Sequence, residues 1–388
     1  MNKLLTVIEN AQIVLENGML WDGVLLLEGD RILDYGSAGE MESKIPENAA
    51  VIDAEGAYVG PGFVDIHVHG GAEYSSCFQP VEAAEFFLKH GTTTMLATPS
   101  YSLPFERFME AIRTVKAAMD KAKTIRGFYM EGPYMNPDHG ANAWKNPWRA
   151  PMDPKQYQAL VDEAGTLARV WAIAPERGEV LIPFLEYARK INPDVVFALG
   201  HSRATPAQIR GLGKYRPTLQ THSMNATGRQ SVPGGTRGYG PDEYCMKEPD
   251  MYAELISDSC GIHVNPEIQQ LVLHNKGIHR TVLITDSCAG ELDPPPEHLK
   301  HVKDLTFDAH GGLSGSKITM NAACRNIMTH TNCGIAQAFL MASRNPARVL
   351  GLDQEIGTIE PGKRADLVFV DDKFHVKQVM LGGELCHF

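Results

Sequence analysis

Between residues 58 and 351 the chain alternates short apolar runs with amphipathic stretches, and few folds accommodate that pattern. The runs are Phe63-Val-Asp-Ile, Thr94-Met-Leu-Ala, Arg126-Gly-Phe-Tyr-Met, Arg169-Val-Trp-Ala-Ile, Val195-Val-Phe-Ala-Leu, Thr218-Leu-Gln, Met251-Tyr-Ala-Glu-Leu-Ile and Thr281-Val-Leu-Ile, eight in all. Helices are predicted over 81–90, 104–120, 154–164, 179–190, 206–212 and 266–274, several opening with Pro in the first turn. Eight strands alternating with helices over roughly 290 residues predict an α/β fold, a closed (β/α)8 TIM-type barrel rather than an open sheet. The short Thr218 run and the irregular stretch from Ser231 to Glu248 are the least regular parts of the pattern.

Both ends have a different texture. Residues 4–57 alternate β-rich runs such as Gln12-Ile-Val-Leu and Gly23-Val-Leu-Leu-Leu with turn signals such as Glu16-Asn-Gly. The same texture returns in Asp366-Leu-Val-Phe-Val and Val376-Lys-Gln-Val-Met-Leu. The chain therefore divides into a small β-sandwich domain built from residues 1–57 and 352–388, and a catalytic barrel over 58–351.

Composition narrows the function. With 36 basic against 47 acidic residues among 388, the formal charge is −11, which disfavours a protein that works by neutralising nucleic-acid phosphates. The N-terminal apolar run is cut short by Glu9, and no uninterrupted apolar stretch of about 18 residues follows, so neither a signal peptide nor a membrane span is expected. A cytoplasmic protein is predicted. The seven cysteines are odd in number and form no C-x-x-C pair, so they are expected to be reduced packing residues.

In a closed barrel the reactive groups gather just beyond the strand ends. Here His67 and His69 follow the first run, Glu131 the third, His201 the fifth, His222 the sixth, His263 the seventh and Asp286 the eighth. Any one of these could be a hydrogen-bonded core residue or a helix cap, but seven in register are hard to dismiss. His67 and His69 flank Val68 on a strand of period two, so both imidazoles face one side and can share a metal ion. Glu131, His201 and His222 supply a carboxylate and two imidazoles, a set that suits zinc or iron and leaves room for water. Such an ion lowers the pKa of bound water towards about 7 and polarises a carbonyl. Asp286 is then placed to take a proton from water and return it to a departing amine, and His263 to orient the scissile carbonyl or to serve as a further ligand.

These residues resemble the amidohydrolase superfamily, and within it the N-acetylglucosamine-6-phosphate deacetylase family. The similarity runs over essentially the whole chain. It is carried by Pro61-Gly-Phe-Val-Asp-Ile-His-Val-His-Gly, Glu131-Gly-Pro-Tyr-Met-Asn-Pro, Leu199-Gly-His-Ser, Thr221-His-Ser-Met-Asn-Ala, Ile262-His-Val, Thr285-Asp and Leu313-Ser-Gly-Ser. The resemblance implies primary metal ligands at Glu131, His201 and His222, a general base at Asp286 and a carbonyl-contacting His263. It also implies a second ion at His67 and His69 bridged by Glu131, so one or two divalent ions, zinc before iron(II). The sugar phosphate would be held by Asn225-Ala226 and by Arg229, with Arg237 as the competing arginine, and Asn142 would contact the sugar.

Val170-Trp-Ala-Ile-Ala-Pro-Glu lacks the lysine that bridges two metals in dihydroorotase, dihydropyrimidinase and urease types. Where the family usually shows Asn-Ala-Met this chain has Asn225-Ala-Thr227, Asn142 stands where His or Gln is common, and Thr285-Asp-Ser-Cys-Ala-Gly alters the last loop, with Cys288 close to the expected pocket. The implied activity is hydrolysis of N-acetylglucosamine 6-phosphate to glucosamine 6-phosphate and acetate, in a homodimer that binds neither nucleic acid nor membrane. The alternatives are an N-acetylgalactosamine 6-phosphate or an N-acyl-D-amino acid as substrate. A metal-free assembly protein on the same scaffold is the rival from another class, and retention of every ligand and of Asp286 argues against it.

Overall fold

A computed structural model describes residues 5–229, 232, 234–236, 238–290 and 294–388. Its centre is a parallel eight-stranded sheet in sequential order: β1 (Phe63–Val68), β2 (Thr92–Ala97), β3 (Ile125–Met130), β4 (Ala168–Ile173), β5 (Val196–Leu199), β6 (Leu219–Gln220), β7 (Tyr252–Ile256) and β8 (Thr281–Ile284). All eight apolar runs thus become strands. Even β6, two residues long, pairs on both sides, Leu219 with Ala198 and with Tyr252. Hydrogen bonds just beyond β8 close the circle: Asp286 N–H donates to His67 O at 2.9 Å and His69 N–H to Ser287 O at 2.9 Å. Side chains reinforce this seam, since Thr285 Oγ1 donates to Asp65 Oδ2 at 2.5 Å.

Helices lie between successive strands, and their starts follow local chemistry. Asp153, Thr205 and Asn265 each accept a backbone N–H with their side chains, and each precedes a Pro in the first helical position. The side-chain oxygen satisfies a donor that the helix cannot, and Pro lacks one to satisfy. Pro241–Lys247 also forms a short helix, inside the stretch that looked irregular, and Met320–Thr331 forms another beyond β8. A helical segment from Ile335 to Val349 follows, with a π-type turn at Leu340–Arg344.

The ends of the chain build one mixed sheet. Strand Leu5–Leu15 pairs first with Ala50–Asp53 and then with Tyr58–Pro61, and the latter pairs with Leu367–Val370 near the C-terminus. The alternation seen in the sequence separates two apolar faces: Val7, Val24, Leu26 and Met41 on one, Ile8, Leu25, Leu27, Val59, Leu367 and Phe369 on the other. Only Gly62 separates strand Tyr58–Pro61 from β1. Gly60 has no room for a side chain, because a Cβ there would lie 2.3 Å from the Phe339 ring. Phe339 in turn packs at a tilt against Phe63 and Phe374, with ring centroids 5.4 and 5.3 Å apart, joining sheet and barrel in one apolar core. The cysteines are unpaired, and no helix among the described residues is long and apolar enough to cross a membrane.

Candidate metal centre and substrate cavity

Glu131, one residue past β3, is the hub of the site. Its Oε1 lies 3.0 Å from His201 Nε2 and 3.5 Å from His222 Nε2, while Oε2 lies 3.2 Å from His69 Nε2. His69 Nε2 also approaches Asp286 Oδ1 at 3.3 Å, and His67 Nε2 is 3.7 Å from the same oxygen. Two groups of donors result, one of Glu131, His201 and His222 and one of His67, His69 and Asp286, each compact enough to hold an ion. The six residues come from five different strand ends, as a barrel mouth permits and a single segment does not.

The donor set fits a cation. Nε2 of His67 is buried with no hydrogen-bond partner, and Nε2 of His201 and His222 face each other at 3.1 Å, an arrangement suited to two lone pairs directed at one ion. The outer nitrogens of two of the histidines are engaged elsewhere, Nδ1 of His69 lying 3.0 Å from Thr98 O and Nδ1 of His222 3.2 Å from Asn225 O. Such contacts set the tautomer that leaves Nε2 free for a metal.

Electrostatics point the same way. Burial opposes ionisation of Glu131, but four surrounding imidazoles outweigh it and hold the carboxyl well below its usual range. Burial likewise raises Asp286, while the His69 hydrogen bond and the His67 charge lower it further, so it stays ionised at neutral pH. Burial disfavours protonated His67, yet Glu131 and Glu254 lift it to about 10. Three buried carboxylates, Glu131, Asp286 and Glu254, thus draw positive charge into this spot, a role a cation can fill.

Above the donors opens a cavity of about 330 Å3, at the lower end of the range for small-molecule sites. Its wall includes Asn142, Asn225 and Ala226 from the sequence analysis, and Cys288 beside Asp286. It also includes Ser75, Ser100, Tyr101, Ser102 and Ser314. The residues from 100 to 102 lie in the loop after β2, where no reactive group marks the sequence. Gly140 brings backbone against the ligands: a Cβ there would lie 2.3 Å from the His201 ring.

Other expected residues lie elsewhere. His263 is buried off the cavity wall, with Nδ1 3.1 Å from Asp258 Oδ2 and its carbonyl accepting from Asn225 Nδ2 at 3.2 Å. Arg229 is half exposed, and its Nε lies 3.5 Å from Glu243 Oε1. Arg237 lies outside the described residues. Among the described residues, no Lys or Arg lines the cavity.

Known proteins place this architecture. The model of the Amidohydrolase family matches residues 58–386. An N-acetylgalactosamine-6-phosphate deacetylase of Escherichia coli O157:H7 is 29% identical over 358 residues, 89% of this chain and 91% of that protein. An N-acetylglucosamine-6-phosphate deacetylase of Bacillus subtilis is 27% identical over 404 residues, covering 97% and 96%. The crystal structure of N-acetylglucosamine-6-phosphate deacetylase from Pasteurella multocida superposes with a TM-score of 0.83 at 25% identity, over 99% of this chain and 100% of that one. A Mycobacterium smegmatis deacetylase variant in complex with N-acetyl-D-glucosamine-6-phosphate superposes at 0.81 with 26% identity, over 99% of each chain.

Proposed function

The chain belongs to the amidohydrolase family, and from that premise we propose that it removes the N-acetyl group from N-acetylglucosamine 6-phosphate, releasing glucosamine 6-phosphate and acetate. The observation that carries this reading is the division of Glu131 between His201 and His222 on one oxygen and His69 on the other, at the floor of a polar cavity. Glu131, His201 and His222 would hold one divalent ion, zinc by preference, and His67, His69 and Asp286 a second. A bound ion supplies Lewis acidity, lowering the pKa of water and polarising the acetyl carbonyl.

The remaining work falls to the chain itself. Asp286 takes the proton from the attacking water and passes it to the sugar nitrogen as the amide bond breaks, converting a poor amide leaving group into an amine. His263, held through Nδ1 by Asp258 just behind the cavity wall, would support the acetyl oxygen through Nε2, which has no hydrogen-bond partner among the described residues. Asn225 ties the His263 carbonyl to the cavity wall, so the two act together. Asn142 and the Asn225-Ala226 segment, with the Ala226 N–H, meet the sugar and its phosphate. Met224 and Ala226 stand in left-handed backbone, at φ 68° and 52°; the N–H groups of Met224 and Asn225 are spent on Asp242 Oδ1 and His222 O, which leaves the Ala226 N–H to face an anion. Arg229 joins them by leaving Glu243. We place the enzyme in the cytoplasm as a homodimer.

An acetate-release assay on zinc-loaded enzyme tests the reading. N-acetylglucosamine 6-phosphate should be turned over with kcat/KM at least about 100-fold above unphosphorylated N-acetylglucosamine, about the contribution of one well-placed ionic contact. Indifference to the phosphate, or preference for N-acetylgalactosamine 6-phosphate or an N-acetyl-D-amino acid, would overturn it.

A further inference from the structure

We propose that Glu254 is a positioning residue that holds both halves of the metal centre in register, fixing the ring of His67 and the backbone of His222 with one carboxylate oxygen. The inference rests on the metal-dependent reading above.

Glu254 lies within β7, on a strand that is otherwise apolar at its buried positions, and is fully buried. A carboxylate there is costly unless its charge is answered. Among the described residues no Lys or Arg pairs with it; the imidazole of His67 does, with Nδ1 3.2 Å from Glu254 Oε2. The same oxygen accepts the backbone N–H of His222 at 3.0 Å, while Oε1 has no hydrogen-bond partner. The Glu254 carbonyl accepts the next N–H along, from Ser223, at 2.8 Å.

Two consequences follow for the ligands. Donation from Nδ1 to Glu254 leaves the lone pair of neutral His67 on Nε2, the atom that faces Glu131 and Asp286 at 3.6 and 3.7 Å. Tyr129 stacks on the ring at 4.2 Å and keeps it from swinging away. On the other side, the bond to His222 N–H steadies a residue whose φ of 24° is unfavourable for an L side chain. His67 belongs to one donor group and His222 to the other, so one buried carboxylate serves both.

Zinc binding to metal-stripped protein tests this. Gln at 254 keeps the size and an acceptor for both N–H groups but removes the charge behind His67. Glu254→Gln should weaken the ion at His67 and His69 by about 10–100-fold, the usual cost of losing an outer partner of a ligating histidine, and leave the other within about threefold. The step absent from a His69→Asn titration identifies which ion is which. Equal weakening of both ions, or of neither, would overturn the proposal. Ring 15N spectra of the wild type give a second reading that needs no folded Glu254 variant, with His67 assigned by its absence in His67→Asn. A proton on Nδ1 and zinc on Nε2 are expected, and zinc on Nδ1 overturns the proposal. Wild-type protein that bound no zinc would instead sink the metal-dependent reading and this inference with it.

Discussion

His201, His222 and Asp286 all stand at positive φ, 42°, 24° and 47°, a conformation that costs an L residue about 1–3 kcal/mol. Each is the second residue past a strand, and the turn there aims its side chain into the mouth rather than along the barrel wall. Asp286 is where chemistry and backbone strain meet most sharply. Asp286→Asn should retain the ion held by Glu131, His201 and His222 while kcat falls by about 100- to 10,000-fold, the range for a lost acid–base group; metal analysis beside steady-state kinetics checks this. Asp258 gives a pH prediction. Burial would raise it, but hydrogen bonds from His263 and from the N–H groups of Ile262 and His263 hold it at about 2. A carboxyl lowered from an unfolded value of about 3.9 contributes stability above that pH and loses it as pH falls towards the folded value. Acid unfolding of the wild type should therefore steepen between about pH 4 and 2, and Asp258→Asn should remove that component from a denaturation series.

At the scale of elements, the mouth is made by loops that reach across to one another. The loop after β3 meets the hairpin of Leu305–Phe307 and Leu313–Ser316: Asn142 N–H donates to Asp308 at 3.1 Å, and Trp144 stacks on His310 at 3.9 Å. Tyr101 Oη from the loop after β2 donates to Ala141 O at 2.5 Å. Gly140 immediately precedes these anchors at φ 92°, against His201. Gly140→Ala should displace the His201 ring and reduce both zinc affinity and kcat by at least about tenfold, since ångström misplacement of a reacting group is costly; zinc titration and activity read the two effects separately. The strands were legible because buried parallel strands make continuous apolar runs, and the reactive residues because they end those runs. Glu254 and Asp65 went unremarked inside the runs, although a charge within a doubly buried strand was itself a signal. Tyr101 and its serine neighbours carry no such mark, because a loop has no periodicity and its contribution depends on where the chain folds back. The helix Met320–Thr331 was missed because its Asn, Thr and Arg residues blur the apolar stripe.

For the molecule as a whole, the metal centre draws on residues from 67 to 286, so binding there ties most of the barrel together. Chelation should lower Tm. At a zinc concentration about 1,000 times Kd the linkage amounts to about 4 kcal/mol, a shift of several degrees for a chain of this size. An unchanged Tm by calorimetry would show that the ion does not discriminate native from unfolded chain. The strand Tyr58–Pro61, which leads through Gly62 into β1, is clasped between Leu5–Leu15 and Leu367–Val370. A ribosome that has synthesised every ligand therefore still lacks the segment that fastens down the first of them. Capture of zinc then belongs to the finished polypeptide, and a nascent chain stalled before residue 367 should surrender the ion far more readily than one released from the ribosome.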